Sequence, residues 1–447
     1  MVNIFMANWN AALDQHCPVR TRRFRRPACP WLGDEDLRLA MAERDEAFAA
    51  WRDLRTDDAR ADYVRLRASV KSMLSRARRD FLSGRLAGSD RRDFWVQLKR
   101  LYMTPSAASS APLPTDERER RAQMDSFTQF FATVGARIAA ELHVGGEADQ
   151  LSPRPPIVVA DAFKLEPITI PELGRVVAEM NGAGAVGGDG VPLSAIRRCM
   201  SAVVPYLLRI VNKSLVTSRF PESWRLGTVV PIYKQAGDPG TASNFRPITL
   251  LSHLSKIVEK VVSNQLSVYI SRTNLLYKRQ YAYRRCHSTE DAVLDAVDCI
   301  AQNIDSGFVS ALIAADLSKA FDSVDHGALL CKLGWYGVDP SWFASYLGGR
   351  GQVVRGGSAT PVAVSHGVPQ GSIIGPILFS LFCNDLPSHL DVEPVIYADD
   401  IHLLDRAKPE PQNLIALKAR LENTLSIMQN WYRSNSLKMN PQKPNLS

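Results

Sequence analysis

At 447 residues, 45% hydrophobic and 22% charged, the chain can bury a substantial core, as two or three domains or as one large one. No run approaches the roughly 18 uncharged apolar residues of a membrane span. Met1-Val2-Asn3-Ile4-Phe5-Met6 has no basic leader or small-residue cleavage site, so an intracellular protein of nucleus or cytoplasm with no membrane partner is expected. Seven cysteines without a CxxC pair fit reduced thiols and give zinc little support, and a net charge of +8 favours an anionic partner.

Residues 1–104 hold 21 Lys and Arg against 14 Asp and Glu, so nearly all of the surplus lies there. A basic run, Arg20, Arg22, Arg23, Arg25 and Arg26, is closed by Pro27 and Pro30. Asp34 can cap a helix with the stripe Leu37, Met41, Phe48, Trp51 and Leu54. From about Asp58 a second helix carries Tyr63, Leu66, Val70, Met73, Ala77 and Phe81, with Arg60, Arg65, Arg67, Lys71, Arg76, Arg78 and Arg79 on its other face. An antiparallel hairpin with one basic face is the simplest arrangement. The repeat is too short to demand a dimeric coiled coil, and the oligomeric state stays open.

Residues 104–115 read as a linker, 116–142 as a helix, and Gly145–Pro156 as a second flexible stretch. Thr169–Met180 looks helical. The glycine-rich loop 182–190 lacks GxxxxGK[ST] and reads as a tight connector. Further on come a strand at Val229–Tyr233, an amphipathic helix at Leu251–Ile270, and another at Glu290–Asp305 with Val293, Ala296, Val297 and Ile300 on one side. Helices and short strands alternate without regular βαβ spacing, so the expected class is α+β.

Two acidic anomalies carry the chemistry. Asp399 and Asp400 interrupt the apolar run Val395-Ile396 to Ile401, and Asp316 ends the run Ala311–Ala315. Carboxylates are costly in a sheet interior. A tight turn between two short strands, neutralised by divalent cations, would relieve the cost. Phosphoryl transfer on nucleic acid uses two such cations about 3.5–4 Å apart. Magnesium prefers hard oxygen ligands and keeps its waters, so two or three Asp suffice. Asp316 is followed by Phe321 and Asp322, and between the acidic positions lies the turn Gly367-Val368-Pro369-Gln370-Gly371-Ser372 running into an apolar helix.

In order, Lys234, Phe245-Arg246-Pro247-Ile248, His287–Asp291, Asp316–His326, Gly367–Asp385, Tyr397–Asp400, and Trp431, Asn435, Leu437, Asn440 and Lys443 resemble the blocks of non-LTR retrotransposon reverse transcriptases. The resemblance covers roughly 160–447, and Pro30-Trp31 with the Arg44-Asp45 helix looks like the segment preceding the polymerase in jockey-type elements. It implies polymerase palm and fingers, an antiparallel sheet packed on helices, over 161–447 with a core at about 215–447. A basic, RNA-binding helical spacer (1–104) and a linker with one helix (105–160) would precede them. Asp316, Asp399 and Asp400 would be the catalytic, metal-binding carboxylates for two Mg2+ ions, with Mn2+ an alternative. Lys234 and Arg246 would hold the triphosphate, Phe321 would gate the deoxyribose, and Gln370 and Gly371 would line the nucleotide pocket. The implied partners are an RNA template, a DNA primer and deoxynucleoside triphosphates.

Ala282 and Cys286 stand where such proteins usually have glycine, and Pro444 follows Lys443 where Thr or Ser is usual. By the resemblance, a fragment lacking the endonuclease and thumb regions of such elements is expected. The expectation is therefore a fragment with weak RNA-directed DNA synthesis, or an inactive nucleic-acid-binding remnant. A different two-metal phosphotransferase or nuclease would not explain the order of the blocks.

Overall fold

The computed structural model describes residues 2–16, 34–86, 114–143, 162–181, 185–440 and 445–446. The basic run at Arg20–Arg26, the linker at 104–113, the stretch 145–156, and Lys443 with Pro444 lie outside the described residues. Two compact units are formed, one by 14–109 and the other by 1–13 with 110–447. The first helix, α1 (Val2–His16), lays Val2, Phe5, Met6, Trp9 and Leu13 on the core of the larger unit.

The smaller unit is a helical pair. The Asp34 carboxylate accepts from the backbone N–H groups of Asp36 and Leu37 and starts α2 (Glu35–Leu54). Arg55 takes a left-handed φ of 54° and ends it. Two residues later α3 (Asp57–Leu86) begins, so the chain reverses at once. Trp51 stacks on Tyr63 with ring centroids 5.5 Å apart, and Leu37 and Val70 are buried. Arg60, Arg65, Arg67, Lys71 and Arg76 stay exposed.

After α1 the larger unit continues with α4 (Glu117–His143), α5 (Ile170–Glu179), α6 (Leu193–Arg198) and α7 (Met200–Thr217). A capping box between Thr169 and Glu172 and a proline in the first turn fix the start of α5. Next come β1 (Leu226–Tyr233), β2 (Phe245–Leu250), α8 (His253–Thr273) and α9 (Thr289–Asp305). The apolar side expected on α9 is largely open: Val293 is 57% and Val297 51% exposed. The centre of the unit runs β3 (Val309–Ala315), β4 (Leu317–Ser318), α10 (Ala320–Ser323), α11 (His326–Trp335), α12 (Ser341–Leu347), β5 (Arg350–Val354) and β6 (Val362–Val364). It closes with α13 (Gly375–Phe382), β7 (Pro394–Tyr397), β8 (Asp400–Ala407), α14 (Pro411–Ser434), β9 (Lys438–Met439) and β10 (Asn445–Leu446).

The architecture is α+β. One sheet has the order β10-β3-β8-β7 and is antiparallel throughout. The other, β2-β1-β5-β6, is antiparallel except for one parallel pair, β1 with β5. The short ladder β4–β9 ties the end of the chain to the exit of β3.

Beneath the first sheet a buried ion pair joins α11 to the segment after α13. Lys332, 3% exposed, donates to Asp385 Oδ1 at 2.7 Å and to the Phe382 carbonyl at 2.8 Å. Trp431 Nε1 donates to Asp385 Oδ2 at 3.2 Å, and the ammonium lies 4.4 Å from the Trp431 ring centroid. Removing one partner strands the other charge in a dry interior. Lys332→Met is therefore expected to lower stability by about 3–5 kcal/mol in urea unfolding, and Lys332→Met/Asp385→Leu to recover more than half of the loss. A single-variant loss below about 1 kcal/mol would be the signature of a surface pair and would contradict this account.

Candidate active site

The register of β3 on β8 builds the acidic cluster. Val309 pairs with Ala407 and Ala315 with Ile401, so Asp316 leaves β3 one position further on, across from Asp400. On the other side of β8, Tyr397 pairs with Asp400, leaving Ala398 and Asp399 as a two-residue hairpin turn. Ala398 takes the first corner at φ 58°, where glycine is the unstrained choice. The turn lifts Asp399 between its neighbours. Burial, then the charges of Asp400 and Asp316, push the Asp399 carboxyl up, while its own backbone N–H and Arg246 pull the other way. Asp316 is half-buried and Asp400 exposed.

Asn440 steadies Asp316 twice: its side-chain amide donates to Asp316 Oδ2 at 3.1 Å, and its backbone N–H to the Asp316 carbonyl at 2.9 Å. Phe321 stacks on Phe379 of α13 with centroids 4.5 Å apart, and Tyr283 meets its edge at 6.5 Å. Burial and the Asp399 charge both raise the Tyr283 hydroxyl, so this ring borders the carboxylates as well.

Two cations come from the β1–β2 side, and a third, Lys319, reaches toward them from the turn before α10. Lys234 is exposed and donates to the Ser243 carbonyl at 3.0 Å. Arg246 is exposed on β2, close enough for its charge to act on both Asp399 and Lys319. Lys319, to which sequence reasoning gave no role of its own, reaches the Phe245 carbonyl at 3.2 Å and shares the Ser243 carbonyl at 3.5 Å. Burial and the Lys234 charge push its ammonium down to about 8, with Asp322 pulling the other way. The run Ser318-Lys319-Ala320-Phe321 held the one available signal; the left-handed φ of 54° that aims Lys319 is not legible in residue types.

Gln370 donates its side-chain amide to Asp322 Oδ1 at 2.8 Å, and its carbonyl accepts from Thr249 N–H at 2.7 Å. Gly371 has φ 121°, and a Cβ there would lie 2.5 Å from the Thr249 carbonyl oxygen. Of the two positions where glycine was the usual residue, Cys286 sits at φ 59°, which glycine adopts without strain, whereas Ala282 is buried at an ordinary φ.

A family model described as reverse transcriptase (RNA-dependent DNA polymerase) matches residues 232–447, the stretch that carries all of these side chains. Residues 232–447 therefore form a reverse transcriptase domain. Among similar proteins, a probable RNA-directed DNA polymerase from transposon BS of Drosophila melanogaster is 30% identical over 63% of this chain and 32% of its own length. The RNA-directed DNA polymerases from mobile element jockey are 28% identical in Drosophila melanogaster, over 63% of this chain and 32% of the relative, and 26% in Drosophila funebris, over 84% and 43%. The reverse transcriptase is thus of the jockey-type, non-LTR kind, and the chain spans about a third to two fifths of the length of these relatives.

Such enzymes use divalent metals. Among the described residues no three His, Cys, Asp or Glu side chains stand close enough to form a ready cation cage. The donor set nevertheless fits the group: three hard carboxylates, one of them raised by burial and by like charge, gathered beside an open face. Magnesium is commonly held by one or two carboxylates together with substrate phosphates, not by a cage made wholly of protein. Gly371→Ala is expected to cost about 1–3 kcal/mol from backbone strain alone, with the Thr249 contact adding to it. Urea unfolding measures this, and an unchanged midpoint would contradict the close approach.

Proposed function

We propose that this reverse transcriptase copies RNA into DNA, taking a template–primer and deoxynucleoside triphosphates and releasing pyrophosphate. The observation that carries the reading is the convergence of Asp316, Asp399 and Asp400 at one end of the β3–β8 pair, with Arg246 close enough to act on Asp399. The primer 3′-oxygen bonds to the α-phosphorus, its proton passes to solvent, the α–β anhydride bond breaks and pyrophosphate leaves. Asp316 and Asp399, with Asp400 beside them, would hold two divalent ions, magnesium or else manganese. When bound, those ions supply neutralisation of the developing charge and activation of the attacking hydroxyl.

The remaining residues act by positioning, which does most of the work in phosphoryl transfer. Lys234 and Arg246, with Lys319 beside them, form a cationic rim suited to a triphosphate. Arg246 is the best matched of the three, because its planar fork fits phosphate oxygens. The Phe321 ring, held flat by Phe379, is a rigid wall that crowds a sugar 2′-hydroxyl. Gln370 and Gly371 line the nucleotide pocket. The exposed arginines of α3, on a basic helical spacer proposed for 1–104, suit backbone phosphates of RNA and would bind with strong salt dependence and little sequence preference. A linker at 105–160 and a catalytic part at 161–447, palm and fingers, complete the proposed division.

Two assays test this. On poly(rA)/oligo(dT) with magnesium, Asp399→Asn should cut extension by about 100-fold or more. Equal incorporation by variant and wild type, or none by either, would contradict the catalytic reading. Phe321→Val should raise ribonucleotide incorporation relative to deoxyribonucleotide; an unchanged ratio removes Phe321 from the gate.

A further inference from the structure

Asp322 follows Phe321 directly, yet the polymerase reading leaves it without a task. Its carboxylate is expensive to keep. Oδ1 accepts the single hydrogen bond from Gln370, while Oδ2 is sealed from solvent with no hydrogen-bond partner. A cavity of about 40 Å³ adjoins it, lined also by Arg350, Gln352, His366 and Gln370. One guanidinium nitrogen of Arg350, a residue 5% exposed, and Nε2 of Gln352 are likewise buried and unpartnered. This volume is too small for a nucleobase but large enough for ordered water, to which one acceptor and two donors offer the required partners.

An ionised carboxylate can only accept hydrogen bonds. Gln370 can therefore meet Asp322 only through its NH₂ group, which turns its Oε1 away from Asp322. The same stretch is pinned on the main chain. Val368 N–H donates to the Phe321 carbonyl at 2.8 Å, Gly367 N–H to the Val324 carbonyl at 2.7 Å, and a Cβ on Gly367 would lie 2.8 Å from Asp322 Cα. Gate and pocket loop thus form one body, and Asp322 sets the polarity of the amide within it.

We propose that Asp322 is a positioning residue for nucleotide selection: it locks Gln370 in the one amide orientation that presents Oε1 as an acceptor to the incoming deoxynucleotide. The proposal rests on the polymerase reading of the site.

A device of this kind has a distinctive cost. Burial pushes the Asp322 carboxyl up to about 6, while the Gln370 bond and the charges of Lys319 and Lys234 pull it down; Arg350 and His366 border the same cavity. The folded state thus holds the Asp322 proton more tightly than the unfolded chain does. That advantage is present at low pH and lost as pH rises through about 6. At pH 7.5 Asp322→Asn should therefore unfold at higher urea than wild type, and the difference should shrink toward pH 4. A residue kept for structure alone would behave in the opposite way.

The deciding experiment is a double-mutant cycle on the full chain with template–primer, using Asp322→Asn, Gln370→Ala and the pair. Both deoxynucleotide binding, followed by fluorescence, and single-nucleotide extension are measured. Asp322→Asn should weaken binding and raise KM about tenfold, the weight of one hydrogen bond to a charged group, with kcat changed less. In the Gln370→Ala background it should do nothing further. Multiplicative losses in the double variant, or an unchanged KM in Asp322→Asn, would overturn the proposal. If nucleotide binding shows the coupling but no variant extends primer, the polymerase reading fails and the positioning role stands. If extension proceeds without coupling, the positioning role alone fails.

Discussion

The antiparallel pairing of β3 with β8 is the constraint on which the site depends. Side chains alternate faces along a strand, so a slip of one residue would turn the apolar set outward and carry Asp316 away from Asp400. The register is held by burial, with Ile313, Ala315, Ile401 and Leu403 packed in the core. It is held also at the strand exit, where β4 pairs with β9 and Asn440 grips Asp316. The short loop joining β7 to β8 then leaves Asp399 no other position. Three carboxylates that repel one another are thus brought together by hydrophobic packing elsewhere in the sheet.

Local strain and electrostatic cost concentrate around that point. Ala398 and Lys319 take left-handed backbone angles, as does Tyr283 against the edge of Phe321. Asp399 and Asp322 are raised by burial, and Lys319 is lowered by it. Strained backbone and perturbed ionisable groups tend to gather where chemistry is done, because folding alone would remove both. The core below carries the stability that tolerates them. Trp342, Trp431, Tyr346, Phe343, Phe379 and Phe382 are all essentially sealed from solvent.

Much of this was legible in residue types because the decisive signals are local. An Asp pair inside an apolar run implies a turn between strands, and β7 and β8 flank that turn. Asp34 and the Leu37 stripe announce α2, which begins at Glu35. What escaped reading depends on partners far along the chain. Lys319 finds its acceptors some 75 residues away, and Asp322 finds Gln370 at a separation of 48. The need for glycine at 371 comes from the carbonyl of Thr249. The parallel β1–β5 pair joins strands over a hundred residues apart, and no periodicity encodes it. The side of α9 that looked ready to pack stands open to solvent, since an apolar stripe says only that a face could be buried.

The central claim is that these carboxylates are gathered to bind divalent cations together with a nucleotide. Manganese binding followed by electron paramagnetic resonance, with template–primer and a non-hydrolysable deoxynucleotide present, tests it most directly. Wild type should bind manganese in a form that magnesium displaces, and Asp316→Asn and Asp399→Asn should each lose that binding while remaining folded. Equal manganese binding by wild type and both variants would contradict the account.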